Sequence, residues 1–214
     1  MNLQEIYKIL LKTFGKQEWW PMDGGFVPRE WEVCIGAILT QNTNWQNVER
    51  ALENLKRDKI TNLERLLEIN ENKLAGLIRP SGYYNQKAKK LKAFSENVKK
   101  KGSVKNFLKN IKRNELLSMK GIGPETADSI LLYAAGKPSF VIDSYTKRIF
   151  TRMGIVKKGI DYEELREFFE RNLPRDVRIY NEYHALIVEM GKNICKPKPL
   201  CGKCPLEGKC RKLI

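Results

Sequence analysis

Four of the chain's five cysteines, Cys195, Cys201, Cys204 and Cys210, stand in its last twenty residues, separated by five, two and five residues. Thiolates this crowded repel one another and are costly to keep unless a cation sits among them. The spacing therefore predicts a metal site, and both a structural four-cysteine zinc and a four-iron cluster satisfy it. An odd total with this clustering suits metal in a reducing compartment better than a disulfide framework. Lys192, Lys196, Lys198, Lys203, Lys209, Arg211 and Lys212 flank the thiols and would make the knot a basic platform. Cys34 lies inside the apolar run WEVCIGAIL and reads as core packing.

The next group is Gly121-Ile122-Gly123-Pro124, placed between a helix ending at Leu116-Leu117 and another continuing through Thr126, Ala127, Ile130, Leu131 and Ala134. The two glycines permit backbone angles closed to other residues and so a tight turn, and proline suits the first position of a helix because its missing N–H would be unpaired there. Exposed backbone N–H groups and the positive end of the second helix would hold one phosphate without reading sequence. An ordinary helix–helix corner would show the same residues. A second turn, Arg79-Pro80-Ser81-Gly82, leads into Tyr84-Asn85-Gln86-Lys87-Ala88-Lys89-Lys90-Leu91 and looks like a degenerate copy with a basic face. The single histidine, His184, reads as satisfying a helix contact near the cysteine loop.

Helices must position these groups. Apolar residues recur at three and four in Leu3, Ile6, Leu10, Phe14, in Trp45, Val48, Leu52, Leu55, and in Tyr84, Ala88, Leu91, Phe94. Sustained β alternation is absent, and Gly, Pro and Asn clusters break the pattern into roughly ten short helices. Residues 31–39 are apolar nearly all round, which predicts a helix buried at the centre of its lobe. An all-α fold of two intimately joined lobes follows, with a cleft between them as the natural place for a substrate. The formal charge of +15 points to a polyanion as partner, and nucleic acid leads. No run of 18 apolar residues occurs, so a soluble, cytoplasmic, nucleoid-associated monomer is expected.

Leu116 to Gly136 (LLSMKGIGPETADSILLYAAG), Val141-Ile142-Asp143 and the terminal cysteines together resemble the endonuclease III superfamily of DNA glycosylases, over nearly the whole chain. The first cysteine gap is five residues where that family usually has six. The resemblance implies a two-lobed helix-hairpin-helix fold: a six-helix barrel over 23–133, and a second lobe of 1–22 with 134–214 carrying the cluster loop 195–210. It implies a four-iron four-sulfur cluster on Cys195, Cys201, Cys204 and Cys210, with structural zinc as the alternative. It also implies a catalytic aspartate at Asp143. Taken alone, that aspartate before Ser144-Tyr145-Thr146 is most simply a helix N-cap, and the two roles are compatible. From a helix start it would stabilise an oxocarbenium-like sugar as the base departs, or help position water.

Strand-cutting members of the superfamily carry a Schiff-base lysine after the hairpin, where this sequence has Glu125. A monofunctional enzyme that uses water is therefore expected, with Lys120 as the one nearby amine. Trp19-Trp20-Pro21, Leu39-Thr40-Gln41-Asn42-Thr43-Asn44-Trp45 and the Arg79 turn look like the 3-methyladenine DNA glycosylase branch. They imply a base pocket of Trp19, Pro21, Trp45 and Glu125, with Gln41 filling the gap left in duplex DNA. Plain core packing is the competing reading for each tryptophan. Gln41, Lys87, Lys120, Gly121, Gly123 and Thr126 complete the expected DNA contacts. The expected activity is hydrolysis of the N-glycosidic bond of a damaged base, an alkylated purine such as 3-methyladenine, in double-stranded DNA. A glycosylase/lyase on oxidised pyrimidines and a non-catalytic DNA-binding module are the alternatives.

Overall fold

The computed structural model describes residues 2–20 and 24–214. Among them the regular elements are all helical, the only β feature being an isolated bridge between Val27 and Asn62. It forms two compact units, Trp20–Gly136 and Met1–Trp19 with Lys137–Ile214.

In the unit Trp20–Gly136 the central helix is α2 (Arg29–Leu39), and every residue from Trp31 to Leu39 is buried. An all-round apolar helix has no face to give to water, so it becomes the core that the others cover. Around it lie α3 (Trp45–Arg57), α4 (Leu63–Glu68), α5 (Glu71–Leu77), α6 (Tyr84–Lys100), α7 (Val104–Asn110), α8 (Arg113–Leu117) and α9 (Pro124–Ser129). Eight α-helices thus occupy this unit among the described residues, where six were expected. The extra breaks come from short polar caps: Asn44, Asn62, Asn70 and Ser103 each accept a backbone N–H of the helix they start. Trp31 stacks on Phe94 with centroids 5.8 Å apart, and Phe107 meets Phe94 edge-on at 5.5 Å. Glu32 is the one charge on the buried stretch of α2, and Lys56 of α3 lies 3.2 Å from it. That pairing offsets the cost of taking a carboxylate out of water.

The unit Met1–Trp19 with Lys137–Ile214 contains α1 (Leu3–Phe14), α10 (Ser144–Arg152), α11 (Tyr162–Asn172) and α12 (Val177–Asn193). Its core is aromatic: Phe140 stacks on Phe169 at 4.2 Å, and Phe150 and Tyr183 pack edge-on against Phe169. Buried Tyr183 finds its hydroxyl partner in the Leu3 carbonyl at 2.9 Å, which ties α12 to α1. Asp143, Asp161 and Asp176 cap α10, α11 and α12. The chain then runs into the cysteine loop, with 3-10 turns at Cys201–Lys203 and Glu207–Lys209.

Candidate active site and metal loop

Asp143 ends an extended segment and starts α10. Its Oδ1 accepts two hydrogen bonds from Thr146, from the backbone N–H and the hydroxyl, each 2.7 Å long. Its Oδ2 faces the other way, 3.7 Å from Nε2 of His184 on α12. The Asp143 side chain is 11% exposed to solvent. Burial pushes its pKa up, but the His184 imidazole and the Thr146 donors outweigh that and hold it below the value of a free aspartate. Asp143 is therefore a carboxylate at neutral pH, with one oxygen fixed by the backbone.

The pairing of α10 with α12 depends on Gly191. A Cβ there would overlap the Tyr145 ring, so only glycine lets the two helices approach this closely. Arg148 fixes the contact by donating to the carbonyls of Gly191 and Cys195, at 2.9 and 2.8 Å. Gly191 and His184 are seven residues apart, two turns on one face of α12, so the contact that admits Tyr145 also presents the imidazole to Asp143.

In the hairpin of the other unit, Gly121 has φ +89° and needs glycine, whereas Gly123 has φ −88°, which any residue adopts. The expectation that both glycines serve backbone strain is thus corrected: only Gly121 does. A side chain at Gly123 would meet open space. Gly123→Val should therefore leave the melting temperature near that of the wild type while obstructing close approach of a phosphate to the loop. DNA affinity should fall by about tenfold, alike on all sequences, because one charge-assisted backbone hydrogen bond is lost. Unchanged affinity in a fluorescence-anisotropy titration would remove phosphate binding from this loop.

Gln41 lies against the hairpin. Its amide nitrogen donates to the Gly121 carbonyl and to Thr126 Oγ1, both at 3.0 Å, and its carbonyl oxygen accepts from Lys90 at 2.5 Å. The stem of Lys90 covers the space where a Gly121 side chain would stand. Gln41, Gly121 and Thr126 are thus one network, and Lys90 is a member that the sequence did not single out. Lys120, Gly123 and Glu125 are exposed on the same turn. Bidentate hydrogen bonds of 2.7 and 2.9 Å from Arg113 of α8 to the buried Asp128 of α9 clamp the two hairpin helices together. Beyond Ser129 the helix widens into a π-helical turn, Ile130–Ala134.

Lys87 is not a DNA contact. Its side chain is only 2% exposed, and its ammonium donates to the carbonyls of Leu39 and Ser81 at 2.8 and 2.6 Å. Burial, with a smaller push from Lys90, brings its pKa down to about 8. It serves as a clamp between the end of α2 and the Arg79–Ser81 turn, because helix periodicity turns this lysine inward while Lys89 stays exposed.

The tryptophans separate. Trp45, the first residue of α3, meets Trp20 edge-on at 5.0 Å, and Trp20 in turn packs on Tyr133 at 5.0 Å. Gly36 of α2 makes room for both indoles. Trp19 instead lies against the His184 ring, with centroids 5.6 Å apart. Both Trp19 and Trp45 are half-buried. Pro21 lies outside the described residues. Trp20 and Tyr133 were not read as site residues from sequence, although Trp20 stands inside the Trp19–Pro21 motif.

Cys195, Cys201, Cys204 and Cys210 all line one cavity, floored by apolar side chains including Ile149, Met153, Met190 and Leu206. Burial, and then the other three thiols, push the Cys204 thiol up. Arg152 reaches the Cys195 sulfur at 3.6 Å and the carbonyls of Lys196 and Pro197 at 2.6 and 2.9 Å. Among the described residues the thiols do not converge as a finished ligand set. Four soft donors around one apolar hollow nevertheless fit the chemistry of a four-cysteine metal group.

Residues 35–175 match the HhH-GPD superfamily of base excision DNA repair proteins. The chain belongs to that superfamily. It is 49% identical, over 97% of its length and 95% of the relative's, to protein MJ1434 of Methanocaldococcus jannaschii, whose name gives it provisionally as a DNA repair glycosylase. Endonuclease III of Thermotoga maritima is 34% identical over 83% of this chain and 81% of that protein. Among solved structures, the 3-methyladenine DNA glycosylase MagIII of H. pylori, bound to 1,N6-ethenoadenine, is 36% identical with a TM-score of 0.78. The match covers 90% of this chain and 98% of that one. This member of the HhH-GPD superfamily is therefore a DNA repair glycosylase with the all-α fold of that group, and it is similar to both the endonuclease III and the 3-methyladenine types.

Proposed function

We propose that the protein is a monofunctional glycosylase that removes alkylated purines, such as 3-methyladenine, from duplex DNA, with Asp143 as its catalytic carboxylate. The observation that carries this reading is Asp143 itself: ionised, partly open to solvent, and fixed at Oδ1 by α10. As the C1′–N bond breaks, its electron pair goes to the base and positive charge grows on the sugar. A preorganised carboxylate stabilises that charge more than it stabilises the uncharged sugar of the ground state. Water then adds to C1′ and loses a proton to the surroundings, leaving an abasic site.

A purine alkylated at N3 or N7 is already cationic, so its bond is weak and it leaves neutral. An indole face favours such a ring by roughly 1–2 kcal/mol once water is excluded. Damaged pairs also unstack at lower cost, which favours extrusion of the base before any pocket is reached. Glu125, where strand-cutting members have lysine, supports hydrolysis without strand cleavage. Gln41 fills the vacated space in the duplex; to do so it exchanges its hairpin hydrogen bonds for contacts to DNA.

The cysteine loop accommodates a four-iron four-sulfur cluster on Cys195, Cys201, Cys204 and Cys210, which when bound supplies structural cross-linking of the C-terminal loop. Arg152 and Arg148 tie that loop to α10, the helix that Asp143 caps. Brown protein with iron by elemental analysis is the expected result; zinc in its place would replace the cluster.

The test is incubation with duplexes bearing 3-methyladenine or another alkylated purine, oxidised pyrimidine, uracil or a mismatch, scored with and without alkali. Alkali-dependent strand breaks at alkylated purines are expected. Breaks without alkali, with a borohydride-trapped adduct, would make it a lyase, and absence of abasic sites on every duplex would leave a DNA-binding module.

A further inference from the structure

We propose that His184 is the positioning residue of the Asp143 carboxylate, holding Oδ2 while the first turn of α10 holds Oδ1. The inference rests on Asp143 being the carboxylate that faces the sugar, and adds what fixes its plane.

A carboxylate gripped at one oxygen still pivots about its Cβ–Cγ bond. Thr146 grips Oδ1 twice, at 2.7 Å each, and contributes nothing to Oδ2. Among the described residues, the one cation-capable side chain within ion-pair distance of Oδ2 is His184, with Nε2 3.7 Å away. Donor distances of this kind tighten when substrate closes a site.

The imidazole is placed for this on three sides. α12 carries it on the same face as Gly191, the residue that lets α10 approach. The Trp19 ring lies against it at 5.6 Å and restricts its swing. At 5% exposure it has almost no water to bond. If His184 were only filler, a leucine would pack there without the cost of desolvating a polar ring. The Asp143 carboxylate, 3.7 Å away, repays part of that cost, and locking its plane matters because displacing a catalytic group by about 1 Å costs on the order of a hundredfold in rate.

His184 is the only histidine in the chain, so its ring nitrogens give unambiguous signals in a 15N-edited NMR spectrum of the intact protein. A proton on Nε2 at neutral pH, with an Nε2 shift that moves in Asp143→Asn, is expected. An unprotonated Nε2 in the wild type, with the proton on Nδ1, overturns the proposal. Kinetically, His184→Leu should slow single-turnover base release by about thirtyfold. Its affinity for duplex carrying a tetrahydrofuran abasic analogue should stay within about threefold of wild type, because positioning acts on the transition state and not on ground-state binding. His184→Gln, whose amide donates from a similar position, should recover most of the rate. A folded His184→Leu with wild-type turnover, or a His184→Gln as slow as the leucine variant, overturns the role; should the leucine variant not fold, the NMR measurement decides alone. Turnover surviving in Asp143→Asn would sink the underlying reading. A dead Asp143→Asn beside a fully active His184→Leu would sink only this one.

Discussion

Asp143→Asn is expected to slow base release by about a thousandfold or more, the scale of losing a preorganised charge at the reacting centre. DNA affinity and fold should stay close to wild type. The reason lies in the two oxygens. Asparagine is as good an N-cap as aspartate, so its side-chain oxygen continues to accept the Thr146 N–H and α10 keeps its first turn. What disappears is the negative charge beside His184, and with it the stabilisation of a cationic sugar. Single-turnover rates on an alkylated duplex, set beside a melting curve, check both halves. A variant that melts like the wild type and still releases base removes Asp143 from the chemistry.

The same carboxylate fixes a pH dependence. Its pKa is depressed in the folded protein, so burial is outweighed and the charged form is favoured. Its contribution to stability is complete above the pKa of an unfolded aspartate and is lost only as pH falls through the lower folded value. The acid limb of the rate profile that belongs to Asp143 should accordingly lie below the ordinary aspartate range.

Arg113→Ala should lower stability by about 3–5 kcal/mol, because it removes the bidentate partner of a carboxylate with no solvent exposure. For a chain of this size that is roughly a 10 °C fall in melting temperature. Arg113 meets both oxygens of Asp128 in a fork, so Arg113→Lys, which keeps the charge and loses the fork, should recover only part of it. Replacing both partners by apolar residues of similar volume should recover more, since no charge is then left buried. A melting temperature within 2 °C or so of wild type in Arg113→Ala would show that the hairpin helices are held by packing alone.

The helices that one stripe of apolar residues specifies were open to reading: α1, α3 and α6 bury Leu3, Ile6 and Leu10, then Val48, Leu52 and Leu55, then Ala88, Leu91 and Phe94. The buried α2 was equally plain from its nearly unbroken apolar run. Glu32 within it was not, because only Lys56, two dozen residues on, makes a buried carboxylate tolerable there. Lys87 misled for the related reason that a lysine on an amphipathic helix is assigned to water unless the carbonyls that hold it are known. Gly123 misled because a glycine in a turn suggests left-handed backbone, while its actual angle is set by how the loop closes.

Sequence by itself determined the helical class, the gathering of four thiols at one end of the chain, the capping position of Asp143 and the hairpin between two short helices. Each of these follows from local chemistry: period, charge repulsion among neighbours, and the few residues that start or stop a helix. Tertiary structure alone decided that Oδ2 of Asp143 faces His184, that Gln41 and Lys90 engage the hairpin, and that Trp20 joins Trp45 and Tyr133 while Trp19 goes to His184. Those partners are 25 to 165 residues apart in the chain. Which of them meet depends on close packing that no local pattern encodes, such as the single missing Cβ at Gly191.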